Sequence, residues 1–533
     1  MSLMEKVKSE WYNELIDYID QAYIWAETDS VLKYVVEQNI NDIIAKIQAD
    51  NKLMIDEKLK IFSQRIENEI AKFLFTYNEE ELVIALLVLK ARFRCAISSS
   101  ENVQSDYEMV NRHSEILQLI KMLLRNTNKC FKGNSIINGT KNLAMSFRYA
   151  YYYNVVMNNI EMYNSQKSKI DFYFSLYDVI KEGFFYTEEY NDFMDSMLRI
   201  SEEVIPEESE IQTQELKDYL REKKYDIQAI KDEISESIYI NLGFTFEHLN
   251  NFCFKGNEDS SNIVYIEVNE CKKHITKFFP DQKINFDNII SLFSLNKIHG
   301  EDINISNIEL RSIYLMEDTL IFHPLDLCWN ISCFEKFLMR NQYTEMYFKL
   351  LDSSNIEKLK QELRKIESKI STYLAYIISE QMFLNGYIVP TKDDIPQAEI
   401  TCLLKQENGK SINLLHSDKN YGDIDVLALD KYKKQIYNIE IKFFKPLIWP
   451  LNIDDKYKIS DREKYIQRAL LRKNIIENNL STVLSILGEK EISNYNIRTI
   501  ILSPRPDYWL QKYDSVEYFD WVDFLGRIRS RNL

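Results

Sequence analysis

No proline occurs before Pro206. Proline removes a backbone donor and breaks a helix interior. A stretch this long without it, crowded with Leu, Ile, Lys and Glu, therefore predicts long helices rather than a turn-rich sandwich. Val36, Ile40, Ile43, Ile44 and Ile47 recur at helical spacing, as do Ile61, Ile66, Ile70, Phe73 and Leu74. A helical domain is expected over 1–205, packed as a bundle or array. No fixed-period repeat supports a solenoid.

With 533 residues, 45% hydrophobic and 13% aromatic, the chain is long and apolar enough for several domains and too aromatic for a disordered tail. Its formal charge of −16 excludes a protein basic all over, the simplest nucleic-acid binder, but leaves room for a basic face. There is no GxGxxG and no GxxxxGK[ST], which removes the dinucleotide fingerprint and the P-loop. Seven cysteines, with no CxxC pair, are expected as ordinary buried thiols in a reducing compartment. The six histidines show no paired ligand spacing, and no GxSxG elbow is present. The apolar stretch Leu82–Leu89 falls far short of the ~20 residues that cross a bilayer. A cytoplasmic protein without membrane association is expected.

Glu202 to Glu210 combines the first proline with a run of acids and is the best linker candidate. Beyond it, Ile263–Val268, Ser312–Leu315 and Thr319–Pro324 read as short strands, so 206–350 is expected to hold the linker and a small mixed α/β domain. Ile356 to about Leu384 returns to helical period, with Gly386 placed as a stop. Tyr149, Tyr151, Tyr152 and Tyr153 form either a buried helix surface, the favoured reading, or a base-stacking platform.

The chemistry concentrates in Tyr421-Gly422-Asp423-Ile424-Asp425-Val426-Leu427-Ala428-Leu429-Asp430, a polar loop from Lys431 to Gln435, and Ile436-Tyr437-Asn438-Ile439-Glu440-Ile441-Lys442-Phe443. Both arms alternate, which predicts a β-hairpin. Ile424, Val426 and Ala428 are expected on one face of the first strand, and Ile439, Ile441 and Phe443 on one face of the second. The opposite faces then project Asp423, Asp425, Glu440 and Lys442 together. Hard divalent cations take one or two protein carboxylates plus water and substrate phosphate. A neighbouring lysine stabilises charge developing on phosphate. The set fits metal-assisted phosphodiester hydrolysis, with a solvated hairpin face as the bland reading. A Glu-x-Lys triplet by itself means little, since Glu222-Lys223-Lys224 and Glu367-Ser368-Lys369 also occur in helical text.

At these residues, over about 370–510, the sequence resembles the PD-(D/E)xK, or restriction-endonuclease-like, nuclease superfamily. The resemblance implies an α/β domain over 351–533 whose mixed central sheet is flanked by helices, joined to the large all-α N-terminal region. It implies Mg²⁺ (or Mn²⁺) as cofactor and nucleic acid, DNA before RNA, as substrate. Asp425 matches the metal-binding acid of the first motif strand, Glu440 the second ligand and Lys442 the catalytic lysine. Asp423 occupies a variable acidic position and is a weaker metal candidate. Relatives often add a helical Glu about ten residues before a Gly-Tyr pair. Here Gly386-Tyr387 is present, position 376 is Tyr376, and Glu380 is either that acid shifted in register or a solvated helix acid.

Asp461 to Leu487 reads as a helix after the motif strands, and Arg498–Pro504 as a further core strand. Residues 371–533 carry 23 Lys and Arg against 22 Asp and Glu, which leaves −17 for the remainder. Lys445, Arg468, Arg472 and Lys473 are candidates to grip phosphates, and Gln467 to touch substrate; each is also explained as a surface residue. The N-terminal body is expected to regulate through a partner protein or by oligomerising. Two rival readings stand beside the nuclease: a non-catalytic interaction protein with a degenerate nuclease fold, and a helical scaffold unrelated to nucleic acid.

Overall fold

The computed structural model describes residues 10–50, 55–99, 103–126, 131–166, 211–252, 263–298, 300, 303, 305–339, 347–348, 351, 355–398, 404–407, 410–413, 423–442, 456–490, 495–503 and 515–533. The expected linker at 202–210 and the candidate Lys445 lie outside them. The described chain is mostly helical, with a helical N-terminal region and a mixed sheet near the C-terminus.

Helices α1 (Glu10–Thr28), α2 (Ser30–Gln48), α3 (Ile55–Leu74), α4 (Glu79–Ser99), α5 (Val103–Arg125) and α6 (Lys141–Gln166) close around one apolar core. Asp29 separates α1 from α2 because its carboxylate accepts from Val31 N at 2.9 Å and Leu32 N at 3.0 Å, satisfying donors at the start of α2. The predicted stripe of Val36, Ile40, Ile43, Ile44 and Ile47 is buried. Tyr149, Tyr152 and Tyr153 are also buried, so the tyrosine run is a packed helix surface and not a stacking platform.

The middle of the chain continues with α7 (Gln214–Lys223), α8 (Ile227–Leu242), α9 (Phe246–Phe252), β1 (Val264–Glu267), α10 (Val268–Phe278), α11 (Phe286–Phe293), α12 (Ile305–Glu309), β2 (Ile313–Met316), β3 (Thr319–Phe322) and α13 (Pro324–Met339). The strands form an antiparallel sheet in the order β1-β3-β2. Strand alternation sends Tyr265, Tyr314 and Ile321 into the N-terminal core, and Ile266, Ile313, Leu320 and Phe322 into a second core on the other face.

A buried ionic cluster seals this joint. Lys90 on α4 reaches Asp326 on α13 at 3.0 Å and also donates to the carbonyls of Glu309 and Arg311. Arg94 meets Glu309 and Asp326, each at 2.6 Å, and lies over the Trp329 ring at 3.9 Å. His113 Nε2 stands 2.8 Å from Glu309 Oε2. Charges this deeply buried are tolerated only when paired and hydrogen-bonded.

The second core runs on through α14 (Ile356–Leu384) to the end of the chain. Gly386 follows α14 with φ of 82°, the left-handed conformation glycine adopts after a helix end. Short hairpins β4 (Thr391–Lys392)–β5 (Ile395–Pro396) and β6 (Leu404–Glu407)–β7 (Lys410–Asn413) lead to β8 (Val426–Asp430), β9 (Gln435–Ile441), α15 (Lys456–Asn478), α16 (Leu480–Ile486), β10 (Asn496–Ser503), β11 (Glu517–Asp520) and α17 (Trp521–Ser530). The four-stranded sheet has the order β11-β10-β9-β8; β8 is antiparallel to β9, and β9, β10 and β11 run parallel. The helix expected over 461–487 is two helices, because Asn479 interrupts it. Of the cysteines expected as buried thiols, Cys271 is buried but Cys95 is exposed. Among the described residues no helix is long and apolar enough to cross a membrane.

Two outcomes are expected. Lys90→Met, which removes one of the two cations paired with Asp326, is expected to lower the melting temperature, and Lys90→Met with Asp326→Leu to recover part of the loss. Equal melting temperatures for the single and double variants would refute a paired role. Burial lifts the Glu115 carboxyl to about 8 against the pull of Arg112. The folded protein thus holds a proton that the unfolded chain releases near 4.5, and stability from this group is lost as pH rises from that value through 8. Thermal melts across this range are expected to decline with pH, and Glu115→Gln to flatten the decline.

Candidate active site

The β8–β9 hairpin forms as predicted, with Val426 opposite Ile439 and Asp430 opposite Gln435. Its turn is held by Asp430 Oδ1, which accepts from Tyr432 N at 2.9 Å and Lys433 N at 3.0 Å. The environment differs from the bland reading of a polar hairpin face that meets water. Val426, Ala428, Tyr437, Ile439 and Ile441 join the core shared with α14, while Leu427, Leu429 and Ile436 pack with residues of α15 and α16. Parallel neighbours and a covering helix bury both faces, as is usual for sheets of this type. Ile424 is likewise not on the side of Val426 and Ala428: it packs in the opposite core, because the strand bends at Asp425.

That bend positions the first acid. The β8 ladder stops at Val426, and beyond it Asp425 Oδ2 accepts from the Ile441 N–H at 2.7 Å. Continuing the register by one residue sets Asp425 opposite Glu440. Lys442 follows on β9's line, its own N–H donating to Leu502 O at 2.9 Å. Its Nζ stands 3.7 Å from Asp425 Oδ2 and 3.2 Å from Glu440 Oε2. Two carboxylates therefore converge on one ammonium, as the sequence predicts. The ammonium also lies 5.6 Å from the centre of the Tyr465 ring on α15.

Glu440 is 2% exposed and is paired through Oε1 with Arg472 of α15. Arg472 is therefore not an outward phosphate grip: it is buried and neutralises a site acid. Burial pushes its guanidinium below its ordinary value, with Asp425 and Asp423 acting in the opposite direction. Asp423 sits beside the group. Burial raises its carboxyl, Arg472 lowers it, and Asp425 raises it further.

The other predicted residues are dispersed. Gln467 and Arg468 are exposed on α15. Lys473 is half-buried and lies 4.0 Å from Glu477. Glu380 is not a solvated acid. It is fully buried on α14, and its carboxylate accepts from Gln212 N at 3.1 Å, Thr213 N at 2.9 Å and the Thr213 hydroxyl, just ahead of α7. This buried acid ties two helices together, and both its oxygens are used in doing so.

Among the described residues no group of three or more His, Cys, Asp or Glu side chains is arranged to hold a metal ion. The pair Asp425 and Glu440 still suits a hard divalent cation, which binds through one or two carboxylates and completes its shell with water and phosphate. Asp423, Asp425 and Glu440 against Lys442 and Arg472 leave these five groups one negative charge in excess. A phosphodiester meets net repulsion there unless a cation joins.

Sequence reading missed the role of Arg472 and the proximity of Tyr465. A signal for Arg472 was present. Asn438 and Glu440 share a strand face with Ile436, and polar groups on an otherwise buried face need a polar partner from the covering helix. Asn438 finds its own in Ala469 O at 3.3 Å and Thr499 Oγ1 at 3.4 Å. Comparison with protein-family models, with curated proteins and with solved structures finds no match.

Replacing Arg472 by Met leaves the buried Glu440 with Lys442 as its remaining cation, and we expect a lower melting temperature. Arg472→Met together with Glu440→Gln is expected to melt well above the single variant. If the single variant melts like the wild type, the pair has no structural weight.

Proposed function

We propose that the protein is a divalent-metal-dependent nuclease that hydrolyses phosphodiester bonds, DNA before RNA, and that its C-terminal sheet and helices form a restriction-endonuclease-like core. The observation that carries this reading is the meeting of Asp425, Glu440 and Lys442 across two adjacent strands. The order helix α14, strands β8 and β9, helix α15, strand β10 supports it. So does the charge balance of the site, which calls for a cation before a phosphate can approach.

Asp425 and Glu440 are the oxygen donors for Mg²⁺ or Mn²⁺. When bound, the cation supplies Lewis-acid polarisation of the phosphoryl group and acidifies water. The protein's own contribution is preorganisation. The Ile441 N–H holds the Asp425 carboxylate in place, and Arg472 fixes Glu440 from the side of α15. Lys442 offers three N–H donors, one end of a fixed β-strand, to charge that grows on phosphate oxygens. The helical N-terminal region, in this reading, regulates through a partner protein or a second copy.

The Arg472–Glu440 pair favours one alternative, a non-catalytic interaction protein, since a guanidinium already occupies one oxygen of a metal ligand. Calorimetric titration with Mn²⁺ separates the two: binding that disappears in Asp425→Ala supports the nuclease, and silence in the wild type supports the alternative. Cleavage of DNA and RNA by the full chain in Mg²⁺ or Mn²⁺ is expected to fall about 10²–10³-fold in Asp425→Ala and Lys442→Ala. Glu380→Gln, which acts on the α14–α7 junction, is expected to lower the melting temperature while cleavage by the folded protein persists. No cleavage of any tested nucleic acid by the wild type, or full activity in Lys442→Ala, sinks the proposal.

A further inference from the structure

The whole net charge of the chain lies between residues 171 and 370, where 38 Asp and Glu face 22 Lys and Arg. The first 170 residues are nearly balanced, with 22 acids and 21 bases. Within that balanced region one groove is sharply basic. It has a volume of about 890 Å³ and lies between α2 and α3. Asn39, Ile43 and Lys46 line it from α2 at positions i, i+4 and i+7, and Arg65, Asn68, Glu69 and Lys72 line it from α3 at i, i+3, i+4 and i+7. Each set is therefore a single helix face.

Phe75 and Lys132 close the lining. Lys132 is tied to the end of α3 by its N–H, which donates to Phe75 O at 3.0 Å, and Asn134 N continues this pairing to Thr76 O at 3.1 Å. Phe75 is packed against Phe131, with ring centres 5.2 Å apart. Asn39 is fixed by its amide, which donates to the Tyr149 hydroxyl at 2.6 Å. Among the described residues, four cations thus face one acid, Glu69, which is itself paired with Lys72. Ile43, Ala71 and Phe75 add apolar lining beside the charge.

We propose that this groove binds a nucleoside polyphosphate. Its volume falls in the range of small-ligand sites. The α3 wall from Arg65 to Lys72 is about 10 Å long, the scale of a nucleotide with its phosphates. Cations beside apolar wall and carboxamide groups suit an anionic tail joined to a flat, polar-edged ring better than bare phosphate. A nucleic-acid strand is a poorer fit, because Asp42 stands exposed on α2 outside the groove and would repel a polyanion running past it. The groove belongs to the N-terminal core and shares no residue with the Asp425–Glu440–Lys442 group.

Isothermal titration calorimetry of the full chain with ATP and with GTP tests the site. Saturable binding of at least one is expected, weakened at least about tenfold by Lys46→Ala with Arg65→Ala, since a charge-assisted contact contributes about 1.5–3 kcal/mol. Both side chains are exposed, so the double variant is expected to melt like the wild type. Asp425→Ala is expected to bind as tightly as the wild type, which separates this groove from the C-terminal group. The proposal is overturned by absence of binding to both nucleotides at millimolar concentration. It is also overturned if the double variant binds them unchanged, or if it loses affinity for a short DNA duplex and not for the nucleotides.

Discussion

A three-stranded sheet with no free face holds this molecule together. β1, β3 and β2 send alternate side chains into two different cores, so the helical N-terminal region and the rest of the chain share one set of strands. The ionic cluster of Lys90, Arg94, Glu309, Asp326 and His113 closes the same joint. Burying charge is costly, and a mispaired arrangement leaves an uncompensated ion. The cluster therefore fixes one docking of α4 and α5 on α12 and α13, where apolar contact alone tolerates sliding.

The C-terminal group depends on a smaller constraint of the same kind. Where β8 ends, Asp425 accepts the Ile441 N–H of the neighbouring strand from the bend. This brings the carboxylate to β9, opposite Glu440 and within reach of Lys442. The second acid is held from above by Arg472. Both carboxylates are thereby oriented by groups that a substrate or metal does not need to supply.

Net charge is informative only when located. The total of −16 suggests an acidic body, and the split at residue 370 assigns the acid to everything before the C-terminal domain. Divided once more, it belongs to 171–370, and the helical region at the start is close to neutral. That leaves the α2–α3 groove and the C-terminal group each free to carry its own local field.

The sequence by itself determined the element types. The absence of early proline, the helical stripe on α2, the strand alternation around Asp425 and Glu440 and the Gly386 stop were all legible, because each depends on neighbours within a few residues. It also brought Asp425, Glu440 and Lys442 together, since two adjacent strands joined by a short turn leave little freedom of register. What only the tertiary structure decided was which polar groups face solvent. Glu380 reads as a site acid shifted in register or a solvated helix acid, and Arg472 as a phosphate grip or a surface residue, yet one ends fully buried against the start of α7 and the other against Glu440. Helical period reports which face is apolar; it does not report what a charged residue at the edge of that face meets when another element is laid over it.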